Sequence, residues 1–159
     1  MSTDAGARAF FAHPYFAVVG ASNNTAKFGH KIFAWYAARG LPATPINPTT
    51  ANIVVAGRDY PVLSDLAALP RPHETAVSVI TPPAVTLELL REARRLGIPA
   101  VWLQPGTFDD AVLALARSAD DADDSTALQT VVAGEGGRGS EGWCVLVDGD
   151  QALRANGKL

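Results

Sequence analysis

A run of small and polar residues follows a short apolar segment near the start of the chain, in an order suited to holding a phosphate. Residues 16–19 are too few for a helix and are rich in β-branched side chains, which is typical of a buried strand. Gly20 lets the backbone turn sharply and approach a ligand. The amphipathic segment 28–39 predicts a helix, whose N-terminus offers unpaired N–H groups to an anion. Ser22 can add a hydroxyl donor and Lys27 a positive charge, so this turn is a candidate phosphate site.

The turn differs from the two nucleotide motifs with the best-defined chemistry. A dinucleotide site uses Gly-x-Gly-x-x-Gly and an acidic residue about 20 residues later. After Gly20 this turn has Ala21 and Asn23 in place of further glycines, and the second predicted strand ends in Asn47 rather than an acid. The Gly-Lys-Ser/Thr of a P-loop is also missing. These departures favour a phosphate-bearing ligand other than NAD, and the alternative is a tight turn that binds nothing.

Two further predicted strands end in residues that suit a ligand crevice. The buried strand 76–80 runs into Thr81-Pro82, and the strand 100–103 runs into Gln104-Pro105-Gly106. If the sheet order reverses between the first strand and 76–80, their turns face each other across the usual ligand crevice of open α/β sheets. The proline then offers a flat apolar edge to an adenine. The glutamine and glycine point equally to a ligand contact and to a backbone turn.

Four motifs in this order resemble those of small single-domain CoA-binding proteins. They are Val19-Gly20-Ala21-Ser22, Lys27-Phe28-Gly29, Ile46-Asn47-Pro48 and Val101-Trp102-Leu103-Gln104-Pro105-Gly106. The resemblance spans about residues 12–147, and the fold of that family resembles the CoA-binding domain of the succinyl-CoA synthetase alpha subunit. It implies a Rossmann-like parallel sheet with coenzyme A, or an acyl-CoA, lying across the carboxyl ends of the strands.

The resemblance also implies which residues contact the ligand. The turn 20–22 is expected to hold the pyrophosphate, with Lys27 neutralising its charge, and Asn47 to contact ribose or adenine. Residues 80–82 are expected to form the adenine wall, and the segment 104–106 to border the pantetheine arm. All expected contacts lie in the four motifs or at strand ends: Gly20, Ala21, Ser22, Lys27, Phe28, Gly29, Asn47, Ile80, Thr81, Pro82, Gln104 and Gly106.

The length and the periodicity predict one α/β domain. A chain of 159 residues is long enough for one such domain with a proper core. We expect a single Rossmann-like domain over residues 1–159, with a mostly parallel open sheet, helices on both faces and a Gly-rich loop at 133–142. Further helices are expected at 5–12, 83–96 and 109–119, and a last parallel strand at 128–132. Residues 143–147 look strand-like and are followed by a predicted turn at 148–150.

Composition excludes several classes of function. The net charge is −3 and no basic run is present, so nucleic acid binding is not expected. A single cysteine, Cys144, excludes an internal disulfide or a cysteine metal cluster; it either faces the thiol end of the ligand or is buried and inert.

No apolar run approaches the length of a membrane helix, and no signal peptide is visible, so we expect a cytoplasmic protein. The acidic stretch 120–124 lacks the ligand spacing of a cation site. None of the patterns described above specifies an oligomeric state.

No arrangement of side chains in the sequence predicts catalysis. The three histidines are scattered over loop and helix positions, outside any recognised motif. The phosphorylated histidine of succinyl-CoA synthetase-type enzymes belongs to a separate domain for which this chain is too short. We therefore expect a ligand-binding protein rather than an enzyme. Two alternatives stay open: an NAD(H)-binding enzyme or redox-sensing domain on the same fold, and a non-catalytic protein-interaction module with a vestigial pocket.

Overall fold

Strands and helices alternate along most of the chain, in the order that the apolar periodicity predicts. The computed structural model describes residues 2–119 and 125–159, so the acidic stretch 120–124 lies outside the described residues. The strands are β1 (Tyr15–Val19), β2 (Ala43–Ile46), β3 (Asn52–Val55), β4 (Arg58–Pro61), β5 (Thr75–Val79), β6 (Ala100–Leu103) and β7 (Thr130–Val132). The helices are α1 (Asp4–Phe11), α2 (Phe28–Ala38), α3 (Pro83–Leu96), α4 (Asp110–Arg117) and α5 (Val145–Ala155).

Within the described residues, five strands form one parallel sheet in the order β2-β1-β5-β6-β7. Strand β1 pairs with β2 on one side and with β5 on the other. The strand order therefore reverses between β1 and β5, which opens a crevice at the carboxyl ends of these two strands. Strands β3 and β4 form a separate antiparallel hairpin, and its turn residues Ala56 and Gly57 have φ of 51° and 76°. The expected α/β, Rossmann-like architecture is confirmed.

Side chains alternate between the two faces of the sheet and build a core on each. On β1, Phe16 and Val18 pack in one apolar cluster with α1, α2 and α5. Their neighbours Ala17 and Val19 pack in a second cluster with α3 and α4. Because both faces are covered, the strands of the sheet are mostly apolar, as parallel strands usually are. None of the helices in the described residues is both long and apolar enough to span a bilayer.

The prediction of a strand at 143–147 and a turn at 148–150 is wrong. Cys144 is the N-cap of α5, and the helix runs from Val145 to Ala155. A short apolar run does not distinguish a strand from the buried start of a helix. The Asp-Gly-Asp sequence suggested a turn, but Gly149 lies inside the helix. Glycine is needed there because a Cβ atom would come within 2.5 Å of the Trp35 ring. This glycine permits close helix packing instead of a turn.

The Gly-rich segment 133–142 folds around a carboxylate of α5. Asp148, which is 4% exposed, accepts hydrogen bonds from the backbone N–H groups of Arg138 at 2.8 Å and of Cys144 at 3.0 Å. A Cβ atom on Gly137 would collide with the same carboxylate. The glycines therefore allow the backbone to surround an internal anion.

Candidate ligand-binding site

The residues predicted to contact a ligand lie at one edge of the sheet. Val19, at the end of β1, is in register with Ile46 of β2 and with Val79 of β5. Val79 is in register with Leu103, at the end of β6. Since these strands are parallel, the segments that follow them all begin at the carboxyl edge. The structure thus brings together the turn after β1, Asn47, and the segments 80–82 and 104–106.

Gly20 turns the chain where β1 meets β5. Its φ of +93° lies in the region that favours glycine. A Cβ atom at this position would come within 2.6 Å of the Ile80 carbonyl oxygen. The Gly20 N–H donates to the Ile46 carbonyl at 3.1 Å, and the Ile80 N–H donates to the Val19 carbonyl at 2.8 Å. Glycine is therefore required both for the turn and for the close approach of the two strand ends.

Gly29 brings the first turn of α2 against the same turn. A Cβ atom on Gly29 would overlap with the Gly20 carbonyl oxygen, and it would lie 3.2 Å from the backbone nitrogen of Ser22. The start of the helix consequently rests directly on the loop that precedes it. This places the positive end of the helix dipole beside residues 20–22.

Several backbone N–H groups of this loop have no hydrogen-bond partner among the residues that the structure describes. Others are engaged locally: the Asn24 N–H donates to Ser22 Oγ at 3.1 Å, and the Ala26 N–H donates to Asn24 Oδ1 at 3.0 Å. Among the described residues, the N–H groups without a partner between β1 and the first turn of α2 belong to Ala21, Ser22, Asn23, Thr25, Phe28 and Gly29. Such groups at a helix N-terminus favour an anion.

Two neighbouring elements hold the loop in place. Asn47 donates from Nδ2 to the Ala21 carbonyl at 2.8 Å, while its Oδ1 accepts from the backbone N–H and hydroxyl of Thr49. The hairpin contributes the Val54 N–H, which donates to Asn23 Oδ1 at 3.0 Å. The loop is thereby tied to the residue after β2 and to strand β3.

A third contact comes from His30, which the sequence analysis did not place among the site residues. His30 is 9% exposed, and its Nδ1 lies 3.0 Å from the Ser22 carbonyl oxygen. A carbonyl only accepts, so Nδ1 carries the proton and donates. The one signal in the sequence was the position of this histidine directly after Gly29, in the first turn of α2.

Lys27 and Phe28 stand at the solvent side of the loop. Lys27 is the N-cap of α2 and is exposed. Phe28 is 59% exposed, although the other aromatic residues of α2 are buried in the core. The Lys31 ammonium lies 5.4 Å from the centre of the Phe28 ring. An exposed aromatic ring flanked by positive charge is therefore available beside the loop.

The segments after β5 and β6 form the other side of the crevice. Thr81 shares a 2.8 Å hydrogen bond with the hydroxyl of Thr86, and Pro82 is the exposed N-cap of α3. Gly106 adopts φ of +86° in a turn. Thus Pro82 presents an apolar surface at the edge, as its position in the sequence suggested.

Gln104 uses its side chain to hold the start of α5. It is 4% exposed; Oε1 accepts from the Val145 N–H at 3.0 Å, and Nε2 donates to Cys144 Sγ at 3.2 Å. Both ends of the amide are therefore occupied by protein atoms. The half-buried thiol of Cys144 lies at the same edge of the sheet. Among the described residues, no group of His, Cys, Asp and Glu side chains is arranged to hold a metal ion.

A family model described as a CoA binding domain matches residues 15–128 of this chain. A conserved hypothetical protein from Pyrococcus furiosus is 28% identical, with 62% of this chain and 81% of that chain covered and a TM-score of 0.55. A hypothetical protein from Pyrococcus horikoshii OT3 is 21% identical, with 82% of this chain and 84% of that chain covered and a TM-score of 0.63. The Thermus thermophilus protein called cell-free ID.343 is 22% identical, with 81% of this chain and 92% of that chain covered and a TM-score of 0.61. The latter two share the fold. No curated protein matches this chain.

Proposed function

The chain belongs to the family of CoA-binding domains, and on that premise we propose that it binds coenzyme A or an acyl-CoA at the carboxyl edge of its sheet. The observation that carries the proposal is the loop between β1 and α2. There, among the described residues, several backbone N–H groups without partners lie beside the N-terminus of α2 and Lys27. Unpaired N–H groups and the positive end of a helix dipole favour phosphate. The pyrophosphate of CoA is the group that such a loop suits.

The proposed pyrophosphate contacts all come from this loop. Residues 20–22 donate from the backbone and from the Ser22 hydroxyl, and Lys27 neutralises charge. Gly29 allows the start of α2 to approach closely. The exposed ring of Phe28 flanks the phosphates and shields one side from water.

Asn47 is proposed to contact the ribose or the adenine. Its Nδ2 has two protons, of which one is donated to the Ala21 carbonyl. The second proton is therefore available to a ribose hydroxyl or to a 3′-phosphate. An acidic residue here would repel that phosphate, so an amide at this position agrees with CoA better than with NAD.

The remaining contacts are proposed to be mainly apolar or steric. Ile80, Thr81 and Pro82 form the wall against which the adenine packs. Gln104 and Gly106 border the pantetheine arm. The Gln104 amide is bonded to α5 through Oε1 and through one of its two Nε2 protons, so its main contribution is the shape of the crevice, and the second Nε2 proton is directed to the ligand.

We propose binding without a reaction because the histidines have structural contacts. His13 Nδ1 lies 3.1 Å from the Phe10 carbonyl, and His73 packs against Gly97. His30 donates to the Ser22 carbonyl. In the described part of the chain, none of these imidazoles contacts a hydroxyl or thiol that it could activate as a nucleophile.

The experiment that tests the function is a thermal-shift titration with CoA, acetyl-CoA, NADH and ATP in parallel. A ligand that binds only the folded state raises the melting temperature in step with its occupancy. We expect CoA and acetyl-CoA to raise it and NADH to leave it unchanged. A rise with NADH alone would favour the NAD-linked alternative, and no rise with any nucleotide would favour the interaction module. The same titration on Lys27→Ala should give a smaller rise with CoA.

A further inference from the structure

The first two carbonyl groups after Gly20 are each held by a side chain from another segment. Asn47 holds the Ala21 carbonyl at 2.8 Å, and His30 holds the Ser22 carbonyl at 3.0 Å. In a trans peptide the carbonyl of one residue and the N–H of the next point in opposite directions. Holding a carbonyl on the protein side therefore turns the following N–H away from that side.

His30 fixes one peptide plane in this way. The imidazole is 9% exposed, and it sits in the first turn of α2, which rests on the loop through Gly29. Its Nδ1–H donates to the Ser22 carbonyl, so the peptide that joins Ser22 to Asn23 has its oxygen directed at α2. The N–H of that peptide belongs to Asn23, and it is one of the groups without a partner in the described residues.

We propose that His30 is a positioning residue of the phosphate-binding loop: by holding the Ser22 carbonyl, it directs the Asn23 N–H at the pyrophosphate of the ligand. This inference rests on the proposed function. In the described part of the chain, no strand ladder fixes the backbone of this segment, and Asn23 is otherwise tied only through its side-chain oxygen to Val54. Without the imidazole, the Ser22–Asn23 peptide is free to rotate, and the N–H is no longer preorganised for phosphate.

Two substitutions separate the hydrogen bond from the bulk of the side chain. The Nδ2–H of an asparagine lies where Nδ1–H of histidine lies, so His30→Asn keeps a donor for the Ser22 carbonyl. The amide of a glutamine lies where Nε2 lies, so His30→Gln keeps size and polarity but removes that donor. The pair is matched in chemistry and differs in the position of the amide.

The experiment measures CoA affinity by calorimetry for the wild type and both variants, together with the melting temperature of each free protein. One hydrogen bond of this kind changes an equilibrium by about fivefold. We expect His30→Gln to weaken CoA binding by about five- to tenfold and His30→Asn to stay within about twofold of the wild type. The melting temperature of His30→Gln should fall by no more than about 2–4 °C, because that variant loses one part-buried hydrogen bond.

A nuclear magnetic resonance measurement makes the result specific to the loop. The Asn23 amide proton should move downfield when CoA is added to the wild type or His30→Asn, and much less in His30→Gln. Equal CoA affinity for wild type and His30→Gln would overturn the inference while leaving the proposed function intact. Equal losses of CoA affinity in His30→Gln and His30→Asn would also overturn the inference and leave the proposed function intact, since the position of the donor would then not matter. Failure of the wild type to bind CoA would overturn both.

Discussion

Two glycines determine how closely β1, β5 and α2 approach one another. Gly20 lacks the Cβ atom that would meet the Ile80 carbonyl, and Gly29 lacks the one that would meet the Gly20 carbonyl. These two close contacts connect the end of β5 to the turn after β1, and that turn to the start of α2. A larger residue at either position must move backbone rather than a flexible side chain, so the loop would lose its geometry.

The effect of Gly29 can be separated from the general effect of replacing a helical glycine. In Gly29→Ala the added methyl group meets backbone, and overpacking of this kind costs about 1–3 kcal/mol. We expect a lower melting temperature and a loss of CoA affinity of at least about tenfold. Calorimetry with CoA measures the loss.

The matched control is Gly6→Ala in α1. A Cβ atom at Gly6 has Thr3 Oγ1 as its nearest neighbour, at 3.6 Å, which is ordinary contact. Alanine is favoured over glycine in a helix by about 0.5–1 kcal/mol, so this variant should keep its CoA affinity and gain slightly in stability. Equal CoA affinity in both variants would contradict the role assigned to Gly29.

The sequence predicted the position of the site residues better than their partners. Local patterns placed Gly20 and Phe28 at the loop, because strand ends and helix starts follow from them, and the resemblance to CoA-binding proteins added Gly29. The bond from His30 to the Ser22 carbonyl depends on the path of the loop, which has no periodicity to read. Gln104 was placed correctly at a strand end, but its bond to α5 could not be foreseen while residues 143–147 were taken for a strand.

At the scale of elements, α5 is fixed to the rest of the fold by polar contacts at several points. At its start, Gln104 accepts from the Val145 N–H, and Asp148 accepts from the Arg138 N–H of the Gly-rich segment. Farther along the helix, Asp150 receives two hydrogen bonds from Arg39, at 2.6 and 3.1 Å. The Arg39 guanidinium also stacks 4.3 Å from the centre of the Trp35 ring. These links join α5 to the sheet and to α2 through residues far apart in the sequence, which explains why local patterns missed the helix.

The Arg39–Asp150 pair makes stability depend on pH in a defined direction. Hydrogen bonding from the Arg39 guanidinium lowers the pKa of Asp150 below its usual value of 3.8. A carboxyl with a lowered folded pKa stabilises the protein above its unfolded pKa, and this stabilisation disappears as the pH falls through the folded value. Asp150→Asn should therefore reduce the free energy of unfolding near neutral pH. The reduction should be at most about 1 kcal/mol, because the pair is partly exposed to solvent.

Urea denaturation of the wild type and Asp150→Asn at a series of pH values measures the effect. The difference between the two proteins should be constant from pH 7 to about pH 5 and should shrink below about pH 4. Asp59→Asn, an exposed carboxylate of β4, serves as the control. A difference that grows as the pH falls would contradict the assignment to this ion pair.

At the scale of the whole molecule, the sheet offers two edges, and in the described residues only the carboxyl edge has the features proposed for ligand binding. The carboxyl edge carries the turn after β1, the N-termini of α2 and α3, and the segment after β6. At the amino edge, a groove is lined by residues that include Tyr15, Pro42 and Arg71. There the Arg71 guanidinium already donates to the Tyr15 hydroxyl at 2.9 Å. The reversal of strand order places the crevice at the carboxyl edge.

Hydrogen–deuterium exchange with and without CoA should locate the ligand on one of these edges. Binding at the carboxyl edge gives partners to loop N–H groups that have none in the described structure, so exchange should slow in residues 20–30 and 80–86. It should also slow in β3, because the Val54 N–H is bonded to the side chain of Asn23 and the hairpin is held by the same loop. Residues 69–75, at the amino edge, provide the internal control and should be unchanged. Protection of that segment without protection of residues 20–30 would place the ligand in the opposite groove and refute the site proposed above.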